Sequence, residues 1–141
     1  MQPTGGDVEE LLAAVIPARR RDDAHTLVDL MREVSGREPV RWGTIIGFGS
    51  CRYRYATGTE GETALLAFAP RRAATTVYLL DGVAAHTEAL AQLGPHTTGA
   101  GCLYLKSLAD ADLDVLRGIL MRSLAWAEAG GSEGMALEVT S

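Results

Sequence analysis

The sequence predicts an α+β two-layer sandwich, with helices from the N-terminal and C-terminal parts of the chain packed on one face of a mostly antiparallel sheet. Three observations carry that expectation. Apolar residues recur at the helical period near both ends, they alternate at the two-residue period of strands through the middle, and turn chemistry separates successive strands. With 141 residues, 47% of them apolar and 22% charged, the chain suits one domain that holds a core without disulfide or metal.

Val8, Leu11, Leu12, Val15 and Ile16 follow i, i+3, i+4, i+7, i+8 spacing behind an Asp7-x-x-Glu10 start, so a short amphipathic helix comes first and Pro17 ends it. A second stripe at Ala24, Leu27, Leu30, Met31 and Val34 closes at Gly36, a residue suited to a left-handed cap. From Trp42 onward the period shortens, and Cys51, Tyr53 and Tyr55 alternate with Ser50, Arg52 and Arg54 as a strand with two distinct faces requires. Thr57-Gly58-Thr59-Glu60-Gly61 is turn chemistry, which predicts a hairpin whose return strand covers 62–69 and stops at Pro70. Thr75 to Leu80 is β-branched and apolar, and Asp81-Gly82 then turns the chain into a short helix carrying Leu90 and Leu93 and ended by Gly94-Pro95. A last strand is expected over 102–106. After it Asp110 is placed to cap a helix with Leu113, Leu116, Leu120 and Leu124 on one side. The domain is thus expected over 7–128, followed by a flexible tail over 129–141 in which Met135, Leu137 and Val139 alternate as an edge strand would.

Thirteen Lys and Arg against eighteen Asp and Glu give a net charge of −5, which argues against a surface built to cover nucleic acid. The charge is uneven: residues 42–72 hold four Arg and two acids, whereas 73–141 hold one Lys, two Arg and eight acids, so positive charge gathers on the strands. Cys51 and Cys102 stand apart from any CxxC spacing, as thiols of a reducing compartment do. Met1 to Gly6 is polar, and no apolar run approaches the roughly 20 residues needed to cross a bilayer. A cytoplasmic protein with neither export signal nor membrane span is expected.

Pro39-Val40-Arg41-Trp42-Gly43, Gly47-Phe48-Gly49 with Tyr53 and Tyr55, Phe68-Ala69-Pro70-Arg71-Arg72, Leu93 to Gly99 and Cys102-Leu103-Tyr104-Leu105-Lys106 occur in that order. The set resembles the YdhG-like family of unknown function, over about Val8 to Ala127. The resemblance implies a frataxin-like fold and, for some relatives, service as intracellular iron chaperones; it implies no settled biochemical activity. The chain departs from the family in the loop after the middle helix. Relatives tend to carry a Gly-Lys-His-Lys-Thr-Gly-Lys run there, against Gly94-Pro95-His96-Thr97-Thr98-Gly99-Ala100 here. Three positive charges fewer weaken any role that needs a cationic loop, such as gripping phosphate or nucleic acid.

Three constellations are candidates for function. Trp42, Tyr53, Tyr55, Arg71, Arg72, His96, Thr98 and Lys106 come from segments that the family fold would bring to one end of the sheet. There guanidinium forks, aromatic walls and turn N–H groups would capture a small anionic or zwitterionic ligand. A wetted sheet face with Arg packed on Tyr explains the same residues. Asp22, Asp29 and Glu33 lie at i, i+7 and i+11 on one helix and offer hard oxygens to iron, but Arg19, Arg20, Arg21 and Arg32 stand among them, as on a solvated face with ion pairs. Cys102 would meet His96 across the loop as a reactive thiol, or fill a strand position as a small apolar residue.

Other signatures are missing. There is no G-x-x-x-x-G-K-[ST] loop, Arg52 stands where a dinucleotide fingerprint needs its third glycine, and His25, His86 and His96 lack metal-site spacing. No G-x-S-x-G elbow occurs. The expectation is a domain that binds without chemistry of its own. Its partner is iron on the strength of the resemblance, or a small anion on the strength of its own residues; a thiol enzyme at Cys102 is the third reading. A protein partner, or a homodimer through the open sheet face or the tail, stays open, and nucleic acid and membrane are not expected.

Overall fold

Asp7 starts the first helix as its spacing predicts, its side chain accepting the Glu9 N–H at 2.8 Å. In a computed structural model that describes residues 2–141, four helices follow in order: α1 (Val8–Ala13), α2 (Ala18–Ser35), α3 (Thr87–Leu93) and α4 (Leu113–Glu128). The strands are β1 (Pro39–Trp42), β2 (Ile45–Phe48), β3 (Cys51–Tyr55), β4 (Glu60–Thr63), β5 (Leu66–Pro70), β6 (Thr75–Tyr78), β7 (Thr97–Thr98), β8 (Cys102–Leu105) and β9 (Met135–Val139). They form a six-stranded sheet in the order β1-β2-β5-β6-β8-β7 and a three-stranded sheet in the order β4-β3-β9, with every strand pairing antiparallel.

One row of the large sheet explains the helical layer. Ile46, Phe68, Val77 and Leu103 are register partners across four strands, so they share a face, and all four are fully buried. Leu12, Leu27, Met31, Leu93, Leu116 and Leu120 of the four helices join them in one core. Most of each stripe read from the sequence is therefore the inner face of its helix, although α1 ends at Ala13 and not at Pro17 and Ile16 and Leu113 are exposed, and the fold is the expected α+β class.

The opposite face carries a second, smaller cluster. Trp42 is 4% exposed and packs with Ala64 and Ala67, flanked by Ile45 and Tyr78. Its indole lies across Gly47, where a Cβ would fall 2.5 Å from Nε1, so only a residue without a side chain lets the ring down onto the sheet.

Three expectations are corrected. The return strand predicted over 62–69 is two strands: the hairpin arms break at Gly49-Ser50 and at Ala64-Leu65, so that β2 and β5 belong to the large sheet while β3 and β4 form the small one. The tail expected to be flexible over 129–141 contains β9, which pairs with all of β3 from Cys51↔Val139 to Tyr55↔Met135 and buries Leu137. The alternation of Met135, Leu137 and Val139 was the real signal, because Leu137 faces the core while Glu138 faces out. The cap of α4 is Asp112, which accepts the Asp114 and Val115 N–H groups at 3.0 and 3.2 Å; Asp110 instead ends a 3-10 turn over Leu108–Asp110.

The first turn of α2 is tied to the end of β8. Arg20 is 1% exposed and donates to the carbonyls of Leu105, Lys106 and Ala73, and Asp23 accepts the Leu108 N–H at 3.1 Å. Burial pushes the Arg20 guanidinium below its ordinary range, with the Asp23 carboxylate opposing that push. Among the described residues, no helix is long and apolar enough to cross a membrane.

Candidate functional site

The strand order decides where the sequence-predicted site residues lie. β1 and β7 are opposite edges of the six-stranded sheet, five interstrand steps apart, which is about 24 Å at ~4.8 Å per step. Trp42 on β1 and the His96–Thr98 segment at β7 therefore cannot wall one cavity, and the pocket expected from Trp42, Tyr53, Tyr55, Arg71, Arg72, His96, Thr98 and Lys106 is not assembled. Trp42 is buried in the small cluster. Tyr53 and Tyr55 meet on the three-stranded sheet as a tilted pair with ring centroids 5.2 Å apart, and Arg52 and Arg54 beside them are held by Glu60 at 3.7 and 3.5 Å. Arg71 donates to Thr44 Oγ1 at 2.8 Å and, with Arg72, rims a shallow depression against Leu11 and Ile16.

His96 and Lys106 do share a cleft. It encloses about 260 Å³ between the β7–β8 hairpin and the 3-10 turn, and Thr97, Tyr104, Ser107 and Asp110 also line it. Thr98 does not: it pairs with Leu103 while Thr97 pairs with Tyr104, and neighbours on a strand point to opposite faces. Cys102, Tyr104 and Lys106 lie at i, i+2 and i+4 along β8 and the residue that follows it. That alternation is the sequence signal that would have added Tyr104 to the expected set.

Chemically the cleft is mixed. His96 Nδ1–H donates to the Gly94 carbonyl at 2.8 Å, and because a carbonyl only accepts, the neutral ring turns a bare Nε2 acceptor outward from that bond. The Lys106 ammonium and the Asp110 carboxylate border the same space, yet neither has an ion-pair partner within 4.0 Å among the described residues. Tyr104 lies two residues after Cys102 on the same face of β8. Hydrogen bonding to that thiol, followed by its charge, partial burial and Tyr78, holds the phenol above its usual range.

The other two constellations come apart. Asp22, Asp29 and Glu33 are all exposed, with Asp29 paired to Arg32 at 3.3 Å and Glu33 to Arg117 at 3.4 Å. Among the described residues no three His, Cys, Asp or Glu gather as a metal ion would need. His96 turns to Gly94 and makes no hydrogen bond to Cys102, so the expected thiol–imidazole pair is not formed. No family model, no curated protein and no solved structure matches this chain.

Proposed function

We propose that this chain is a binding domain for a small zwitterion, a free amino acid or a close relative, seated in the cleft of His96, Lys106 and Asp110. One observation carries the reading: an ammonium and a carboxylate border a single 260 Å³ cleft, and neither is paired with the other or with any other described residue. Opposite charges left unpaired around one cleft match a ligand that carries both signs. Lys106 takes the ligand carboxylate and Asp110 its ammonium, while the hydroxyls of Thr97 and Ser107 and the acceptor nitrogen of His96 orient what lies between.

The ordered motifs shared with YdhG-like proteins support a binding role, and iron handling is what that likeness adds. This chain's own residues support the iron reading less, because Arg32 and Arg117 hold two of the three carboxylates it calls on. Both cysteines are free thiols, which supports a cytoplasmic setting.

Amide shift mapping with glycine, glutamate and arginine, and with acetate and methylammonium as single-charge controls, tests the proposal. Saturable shifts at residues 96–98 and 104–110 are expected with the amino acids, with binding weakened about tenfold or more by Lys106→Ala and by Asp110→Asn. Absence of saturable shifts with every amino acid, or undiminished binding by both variants, overturns it.

A further inference from the structure

The solvent side of α4 carries a stripe arranged symmetrically about its middle. Leu116, Ile119, Leu120, Ser123 and Leu124 turn inward and are buried, whereas Asp114, Met121 and Arg122 are exposed and Val115 and Gly118 are half-buried. Gly118 is the centre. Val115 and Met121 stand three residues to either side of it, and Asp114 and Arg122 stand four, spacings that keep all five on one helix face. Asp114, Val115, Gly118 and Arg122 also wall a groove of about 700 Å³, whose other wall is α3 with the 3-10 turn before it.

The packing within one chain does not call for this glycine. The atoms nearest to a Cβ at residue 118 would all belong to the Arg122 guanidinium, the closest at 3.2 Å, and that is the free end of a flexible side chain. Glycine is among the poorest helix formers, so its place in mid-helix fits a second backbone that comes close there. The charges beside it are also open to a partner. Arg122 has no carboxylate within 4.0 Å among the described residues, and the Asp114 side chain is 91% exposed with only its Oδ1 hydrogen-bonded, to Arg117 at 2.9 Å. Met121 is 54% exposed.

We infer that this face of α4 is the interface of a two-fold dimer, covered by α4 of a second copy packed antiparallel with the two Gly118 residues at the crossing. A two-fold axis at Gly118 sets each residue above it on one helix opposite the residue equally far below it on the other. Asp114 of each copy then faces the partner's Arg122, about 6 Å along the helix from the crossing. Met121 of each copy faces the partner's Val115 at the wall of the groove. Arg122, which lies over its own Gly118 in the single chain, swings off it to reach the partner's Asp114. The stripe is complementary to itself in the antiparallel sense alone, since a parallel pair would set aspartate against aspartate and arginine against arginine.

Sedimentation equilibrium of the full chain from micromolar to millimolar concentration tests the inference, with Asp114→Arg and Arg122→Asp as separate variants. The parent is expected to pass from one chain to two. Each charge reversal should weaken self-association about tenfold or more. An equimolar mixture of the two variants should recover it, because one then carries only arginine and the other only aspartate at the two facing positions. Recovery on mixing separates a pairing of these sites from a general loss of fold. Gly118→Glu should also part the copies, by setting two carboxylates at the crossing, while melting no lower than the parent in dilute solution, where it gains an i,i+4 pair with Arg122. A single chain at every concentration, undiminished self-association in any of the three variants, or no recovery on mixing overturns the inference.

Discussion

Arg20 Nη1 donates to the carbonyl oxygen of Lys106 at 2.6 Å, across 86 residues of sequence. The same guanidinium reaches the carbonyls of Leu105 and Ala73, so one side chain from the start of α2 gathers the end of β8 and the β5–β6 turn. It also fixes the backbone from which Lys106 projects into the cleft.

Arg20→Met should therefore cost about 3 kcal/mol, because three carbonyls lose a charged donor whose side chain is buried. Arg20→Lys should recover only part of this, since an ammonium lacks the planar fork that spans separate acceptors. Urea unfolding measures both. Equal stability of the methionine variant and the parent would show that the clamp carries no load.

Gly47→Ala should destabilise by about 1–3 kcal/mol through overpacking, since the added methyl would meet Trp42 and the Ala64 Cβ at 2.5 and 2.7 Å. The indole must lift, so tryptophan emission should shift to the red in a Trp126→Phe background. Unchanged emission would mean that Trp42 does not lie on the sheet.

Leu137→Ala should cost about 2 kcal/mol, and the amides of Met135 to Val139 that pair with β3 should be slow to exchange. A free tail would give neither result. Exchange measured at single-residue resolution separates the two.

The two thiols should behave differently. Burial, with the Glu62 carboxylate adding, pushes the Cys51 thiol up from its ordinary 9.0 to about 11, and the fold thereby favours its neutral form. Its contribution to stability is complete below pH 9.0 and is lost as the pH rises through about 11. Unfolding curves of the parent should weaken across that window, and those of Cys51→Ala should weaken less. At neutral pH a disulfide reagent should modify the half-buried Cys102 and leave Cys51 untouched until the chain unfolds; equal rates at both thiols would contradict this placement.

Periodicity and punctuation, which depend only on neighbours in the chain, make the class and most elements legible in the sequence: the stripes of α2 and α4, the turn at 57–61, the stop at Gly94-Pro95. The failures share one cause. Whether Met135 to Val139 stays loose or adds to a sheet depends on β3 offering an open edge, and the break of the hairpin arms depends on which partner each half finds. Neither partner is visible along the chain.

The same division runs through the candidate site. Residue chemistry by itself selects His96 and Lys106 as polar groups near a turn, and it rates the arginines of the strands just as highly. The order β1-β2-β5-β6-β8-β7 alone sends Trp42 to one edge and His96 to the other, and leaves Asp110, read as a helix cap, facing Lys106 across a cleft. Hydrogen bonding between strands is indifferent to side-chain identity, so composition and spacing cannot state which strands will be neighbours. The burial of a continuous apolar row, Ile46 to Leu103, settles that order, and with it which charges meet.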